Sequence, residues 1–286
     1  MSSQPMQRQF RIDDERETGR VVRGRVTSPA GAPEPMPWVL SLHGFKGFMD
    51  WGFFPELAAR LAREGIASVA FNTSASGVGE DLATFSEPEA FRRGTLSRQL
   101  EDIERVREQV RSGALGALDP ARAGVFGHSR GGGMALLHAS EAGDYRAVVT
   151  WAALSHFDRW DEATKELWRR TGELRVLHAR TKQELPIGVE VLEDFERHRE
   201  RFDVLAACGR LRAPVLALHG SADESVELEN LDRIARALPR GTGSRTEVVE
   251  GQGHTFGAVH PLVSIPPALD VALDSTVEWF ERYLRP

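Results

Sequence analysis

Short apolar runs alternate with amphipathic stretches along most of this chain. Trp38-Val39-Leu40-Ser41-Leu42, Ala67-Ser68-Val69-Ala70-Phe71, residues 122–126, Ala147-Val148-Val149-Thr150-Trp151 and Pro214-Val215-Leu216-Ala217-Leu218 are near-continuous apolar runs of strand length. Runs of that kind mark strands buried on both faces. Between them lie stretches of helical period: Phe54 to Arg63, a longer one carrying Leu96, Leu100, Ile103, Val106 and Val110, residues 133–142, Val226 to Leu238, and a last one carrying Leu269, Leu273, Val277, Phe280 and Leu284. One apolar stripe per helix suffices to pack it on a sheet. The alternation predicts an α/β fold, a mostly parallel central sheet flanked by helices on both faces.

The pattern changes at its edges. Residues 8–13 and 20–27 read as two early strands around Glu17-Thr18-Gly19, a Pro-rich loop runs from Pro29 to Pro37, Asn72 to Gly94 reads as a polar, Gly-rich loop, and 245–249 reads as a late strand. The rhythm breaks over residues 155–207, which are charged and aromatic, with Phe157, Trp160 and Trp168, a hairpin around 174–190, and a helix carrying Phe195 and Phe202. We expect this segment to be a small lid inserted into a single domain spanning residues 1–286, a length that one large core accommodates. No repeat or low-complexity tract interrupts it.

Charge and cysteine usage narrow the partners. The net charge is −6, and basic residues are mixed with acidic ones, as from Arg98 to Arg111, so no nucleic-acid partner is expected. The first ten residues are polar and no apolar stretch approaches eighteen residues, so neither signal peptide nor membrane partner is expected and the cytoplasm is the expected address. The single cysteine, Cys208, can form neither an internal disulfide nor a thiolate cluster, and it reads as a small packing residue. No metal or cofactor is expected, and the oligomeric state is left open.

The candidate chemistry begins at Gly127-His128-Ser129-Arg130-Gly131-Gly132, between an apolar strand and a helix-like stretch. A serine on so tight a strand-to-helix turn takes strained backbone angles, and its small neighbours let strand and helix approach closely. Acyl transfer through serine also needs a base, a carboxylate that orients the base, and donors for the oxyanion. His254, in Gly251-Gln252-Gly253-His254-Thr255-Phe256, and Asp223, in His219-Gly220-Ser221-Ala222-Asp223-Glu224, each follow a strand, and the order Ser129, Asp223, His254 suits a doubly wound sheet. Asp223 could instead serve a turn or helix cap, with Glu224 and Asp158 as fallback acids. His43 and His219 read as structural hydrogen-bonding residues, and His128 sits within the elbow. The oxyanion donors are expected to be backbone N–H groups, from Arg130 and from Phe45 in Leu42-His43-Gly44-Phe45-Lys46-Gly47.

Taken together, the HGF loop, GHSRGG, HGSADESV and GQGHTF, in that order over about residues 37–284, resemble the α/β-hydrolase superfamily in its dienelactone-hydrolase-like and prolyl-oligopeptidase-like branch. The resemblance implies the α/β-hydrolase fold, with Ser129 as nucleophile, Asp223 as acid, His254 as base, and Phe45 with Arg130 as oxyanion donors. Dienelactone hydrolases proper carry a cysteine nucleophile, from which Ser129 departs. No propeller of the kind found in large oligopeptidases is visible, so gating of peptides by one is not expected. Aromatic residues Trp51, Phe53 and Phe54 after the HGF motif, with Phe157, Trp160 and Trp168 in the lid, either wall a pocket for an apolar or aromatic acyl group or pack the lid onto the sheet. The expected activity is hydrolysis of a small-molecule carboxylic ester through an acyl-enzyme. The alternatives are a small serine aminopeptidase or amidase of the same branch, and a binding protein on the same scaffold.

Overall fold

The apolar runs lie side by side in one eight-stranded sheet. In the computed structural model, which describes residues 4–285, its strands are β1 (Met6–Asp13), β2 (Val21–Ser28), β3 (Met36–Leu42), β4 (Ala67–Asn72), β5 (Leu118–His128), β6 (Ala147–Trp151), β9 (Val215–Gly220) and β10 (Arg245–Val249). A separate hairpin pairs β7 (Glu173–Leu177) with β8 (Glu184–Gly188). The sheet order is β1-β2-β4-β3-β5-β6-β9-β10, antiparallel for β1 with β2 and β2 with β4, and parallel throughout the rest. Every residue of β3, β6 and β9 is buried, as uniformly apolar strands under two helical layers must be.

Helices α1 (Phe54–Arg63) and α9 (Pro267–Leu284) cover one face, where Leu57, Leu61, Leu273 and Phe280 pack with Val39, Phe126 and Val149. On the other face α3 (Leu96–Arg111), α4 (Arg130–Ala142), α7 (Val204–Arg210) and α8 (Glu229–Ala237) bury their apolar stripes against Leu40, Val125 and Val148. Cys208 lies in this second core, fully buried. No helix among the described residues is long and apolar enough to cross a membrane.

Several elements differ from the pattern-based expectation, each for a local reason. β5 begins at Leu118, ahead of its apolar run, because Met36 pairs with Leu118 before a register shift brings Trp38 opposite Ala123. The stretch 72–94 contains a short helix α2 (Pro88–Arg92), opened by a proline in its first turn and anchored by buried Phe91. Between β6 and β9, α5 (Glu162–Thr171), the β7–β8 hairpin and α6 (Val189–Arg197) build a satellite core in which Trp168, Leu185, Ile187 and Val191 meet Phe48, Phe85 and Phe91. The single helix expected to carry Phe195 and Phe202 is two helices. α6 stops at Arg197, and Asp203 caps α7 by accepting the Ala206 N–H at 2.9 Å, while the two rings still stack 6.5 Å apart. α7 then leaves the inserted segment and packs on α4 and α8.

Two glycines separate close backbone packing from simple helix propensity. A Cβ on Gly131 would lie 2.3 Å from the Leu42 carbonyl oxygen, so Gly131→Ala forces the backbone apart and lowers the unfolding free energy by about 1–3 kcal/mol. Gly209, exposed within α7, offers a Cβ nothing nearer than 3.7 Å, so Gly209→Ala raises stability by up to about 1 kcal/mol. Urea melts of the two variants should move in opposite directions.

Candidate active site

β5 ends at His128 and α4 starts at Arg130, so Ser129 alone makes the reversal. Its backbone sits at φ 58°, ψ −122°, a conformation that a side-chain-bearing residue keeps only when its surroundings impose it. Those surroundings are backbone. The Ser129 N–H donates to the Trp151 carbonyl at 2.8 Å, and its own carbonyl accepts the Gly132 N–H at 2.9 Å. A Cβ on Gly127 would stand 2.2 Å from the Gly131 oxygen, so strand and helix touch without side chains between them. Although Ser129 occupies the N-cap position of α4, its hydroxyl caps nothing. It faces the loop after β3 instead, where a Cβ on Gly44 would meet Ser129 Oγ at 3.5 Å.

Asp223 lies in the turn after β9 and works in two directions. Oδ1 accepts the Ser225 and Val226 N–H groups at 2.8 and 2.9 Å, the turn role open to it from sequence, while Oδ2 accepts from His254 Nδ1 at 2.7 Å. A carboxylate can only accept, so Nδ1 carries the imidazole proton and Nε2 is left bare. Burial pushes the Asp223 carboxyl up, but hydrogen bonds from His219, His254 and the Val226 N–H outweigh it and hold the group well below the usual carboxylate range. The His219 contact is shared: its Nε2 is 2.8 Å from the Val226 carbonyl and 3.4 Å from Asp223 Oδ2. Of the fallback acids, Asp158 pairs with Lys165 at 2.7 Å and Glu224 is exposed.

His254 and Ser129 line one cavity. Neither Ser129 Oγ nor His254 Nε2 has a hydrogen-bond partner among the described residues, so the two are not yet joined; such bonds commonly tighten only when substrate arrives. His128 supports the loop that carries the base, its Nε2–H donating to the His254 carbonyl at 3.0 Å with the two rings 4.6 Å apart. Burial drives His128 down to about 3 and His43 down to about 4, so both stay neutral. The backbone N–H groups of Phe45 and Arg130 are unengaged among the described residues and belong to the two segments that border Ser129.

Two cavities meet at Ser129 and Phe45. One, of about 280 Å³, is walled by Leu154, Phe157 and Trp160 and contains Arg130. The other, of about 330 Å³, holds His254 together with Trp51, Lys46, His178 and Arg180. Trp51, Phe157 and Trp160 therefore line space beside Ser129, whereas Phe53 and Trp168 are fully buried core residues, the Trp168 indole N–H donating to the Ile187 carbonyl at 2.9 Å. Lys46, His178 and Arg180 were not singled out from sequence, where isolated polar residues in loops read as solvated surface. In space His178 Nε2–H donates to the Lys46 carbonyl at 3.1 Å and Lys46 Nζ donates to the Leu177 carbonyl at 3.0 Å, clasping the inserted hairpin to the loop after β3.

The Arg130 side chain also passed unnoticed in the sequence. Its guanidinium runs under the Phe45 ring, 5.4 Å from the centroid, and Nη2 donates to the Gly94 carbonyl at 3.0 Å. Nε is buried without a partner, and burial lowers the group to about 10, still a cation at neutral pH.

A sheet of this order, with a strained serine at the end of β5 and an aspartate–histidine pair beyond β9 and β10, defines an α/β hydrolase. Solved structures share the fold: Est1E from Butyrivibrio proteoclasticus, 17% identical with a TM-score of 0.67 and 99% of both chains covered; a dienelactone hydrolase from Anabaena variabilis, 19% identical, TM-score 0.64, covering 99% of this chain and 100% of that one; and an acylaminoacyl peptidase of Pyrococcus horikoshii, 18% identical, TM-score 0.68, covering 99% of this chain and 42% of that one. Within that class the chain belongs to the prolyl oligopeptidase family, whose sequence model matches residues 53–285. It is also similar to the uncharacterized peptidase YuxL of Bacillus subtilis, at 24% identity over 276 residues, and spans 38% of that relative's length.

The buried imidazoles have a consequence for stability. His43 and His128 are held neutral in the fold but regain an ordinary pKa near 6.5 when unfolded, so the unfolded chain binds more protons below that pH. Their contribution is fully present above about pH 6.5 and declines as pH falls toward 4. The urea midpoint is expected to drop between pH 7 and pH 5; a midpoint constant over that range would contradict the assignment.

Proposed function

We propose that this chain hydrolyses small carboxylic esters through an acyl-enzyme carried on Ser129. The observation that carries the reading is the His254–Asp223 contact of 2.7 Å beside a cavity that also contains the Ser129 hydroxyl. The Ser129 oxygen attacks the ester carbonyl while His254 Nε2 takes its proton, and Asp223 holds the imidazole in the required tautomer and stabilises the imidazolium. The negative charge that develops on the carbonyl oxygen meets the Phe45 and Arg130 N–H groups and the positive end of α4. When the intermediate collapses, His254 returns the proton to the departing alcohol; a water activated by the same imidazole then releases the acid.

This sequence assigns the cavities. The leaving group must reach His254, so it occupies the cavity that contains the imidazole, and the acyl group occupies the cavity that does not. The inserted segment then acts as a lid whose Phe157 and Trp160 close over the acyl chain. Apolar walls suit an aliphatic or aromatic acyl group, and Est1E, of the same fold, has a structure with ferulic acid bound. Family membership favours a second reading, cleavage of short peptides or amides by the same machinery.

Fluorophosphonate labelling tests the nucleophile: the wild type should be labelled and Ser129→Ala should not. Asp223→Asn should leave the fold in place and lower kcat by roughly 10³- to 10⁴-fold, because the imidazole loses its tautomer. Turnover of an aryl ester against the matching anilide separates the readings, with the anilide faster only if the peptidase reading holds.

Because burial holds His43 and His128 neutral, neither imidazole should add a proton to the acid limb of kcat/KM. An acid limb steeper than one proton would count against that assignment.

A further inference from the structure

Arginines in this chain are commonly matched to acids. Arg20 bridges Asp102 at 2.8 Å, Arg107 bridges Asp144 at 2.6 Å and Arg60 bridges Asp270 at 2.5 Å, as expected of a chain with a net charge of −6. Arg180 in the second cavity is not so matched, and neither are the arginines of the acyl cavity. Two arginines line it, Arg130 and Arg159, no acidic residue lines it, and neither arginine pairs with a carboxylate among the described residues. Arg159 spends one amine on the Ser225 carbonyl at 2.9 Å. Arg130, only 9% exposed, spends one on the Gly94 carbonyl, and its Nε has no partner. The walls around them are apolar: Phe45, Leu154, Phe157 and Trp160. Asp194 acts on Arg130 only through space, beyond ion-pair distance; a cation held in such a setting without a directly paired counter-ion is unfavourable for the empty protein, and an anionic ligand that supplies one gains a charge-assisted hydrogen bond in a low-dielectric site.

We propose that the acyl group carries a carboxylate, that Arg130 binds it with Arg159 at the same cavity, and that the substrates are therefore monoesters of dicarboxylic acids. The inference rests on the ester-hydrolase reading and adds the chemistry of the acid half. Arg130 would serve twice at one position: its backbone N–H faces the developing oxyanion, and its side chain holds the far end of the acyl chain. The rival explanation for the same guanidinium is electrostatic support of the oxyanion, which would speed every ester alike. The two differ in a ratio of rates.

The test compares mono-p-nitrophenyl adipate, anionic at neutral pH, with p-nitrophenyl hexanoate, which carries a methyl group where the adipate has its carboxylate. For the wild type kcat/KM should favour the adipate by about 10- to 100-fold, the range of a charge-assisted hydrogen bond. Arg130→Met should bring that ratio close to one, Arg130→Lys should retain part of it, and Arg159→Gln, at an exposed position, should reduce it by a smaller factor. A wild-type ratio at or below one overturns the proposal, as does a ratio unchanged in Arg130→Met, which would leave the oxyanion explanation standing. Should neither ester turn over, the ester-hydrolase reading fails on its own, and calorimetry of Ser129→Ala still reads the cavity. Monomethyl adipate should bind it at least about 10-fold more tightly than methyl hexanoate, and equal binding overturns the proposal.

Discussion

The contact on which the rest of this structure depends is made by backbone alone, where β3, β5 and α4 close on one another at Leu42, Gly127 and Gly131. Parallel pairing sets Leu42 opposite Gly127 and Gly127 opposite Thr150, so the strand ends lie level. With no Cβ at Gly127 or Gly131, α4 begins one residue after β5 ends, and Ser129 is forced into a left-handed φ between two rigid elements. The strain is shared along this edge. Lys46 after β3, Ala152 after β6 and Phe256 after β10 also have positive φ, a conformation that side-chain-bearing residues rarely adopt. A looser elbow would let the serine relax into an ordinary N-cap, its hydroxyl bonded to its own helix and lost to a substrate.

Electrostatics at the site follow from how each charge is compensated. The Asp223 side chain has no exposed surface, and burial alone would raise its pKa, yet two backbone N–H groups and two imidazoles surround it and the ionised form wins. The depressed pKa shows that these contacts more than offset the cost of burying the charge, relative to the neutral acid. They also secure orientation: a permanent carboxylate fixes the proton of His254 on Nδ1. His128 and His43 show the opposite outcome. Burial without an adjacent carboxylate contact leaves them neutral, and they act through hydrogen bonds to the His254 and Gly44 carbonyls, bracing the two loops that flank Ser129.

The sheet and its helices were legible because their signal is periodic and repeated. A strand buried on both faces has little freedom in composition, and Val148 or Leu216 announces its environment directly. The elbow could be read because close backbone packing demands glycine at 127 and 131 on either side of Ser129. The inserted segment was harder. Its elements are short, its small core borrows Phe48, Phe85 and Phe91 from the body of the protein, and no local pattern reveals packing partners so distant in sequence. The start of α7 depended on Asp203, whose capping role appears only once the helix is known to begin there. Lys46, Arg180 and the Arg130 side chain were invisible for a related reason: a basic residue in a loop or at a helix start looks solvated, and only the surrounding walls reveal that it faces a cavity.

The two cavities also explain why fold and family alone leave the substrate open. The features shared across α/β hydrolases act on atoms every acyl transfer has in common, namely the carbonyl carbon, its oxygen and the atom that departs. Selectivity must come from groups that touch the remaining atoms, and here those groups sit on the inserted segment, the loop after β3 and the first residue of α4. In the proposed mechanism the loop after β3 and that first residue would carry catalytic and selective duties together, with Phe45 and Arg130 presenting backbone to one part of a substrate and side chain to another. Such residues are poorly placed to drift independently: a substitution at Arg130 chosen to suit a new acyl group also alters the turn that holds Ser129. Changes in the inserted segment face no such coupling, so its residues on the two cavities, Phe157 and Trp160 on one and Arg180 on an exposed turn at the other, are where specificity can change at least cost to the chemistry.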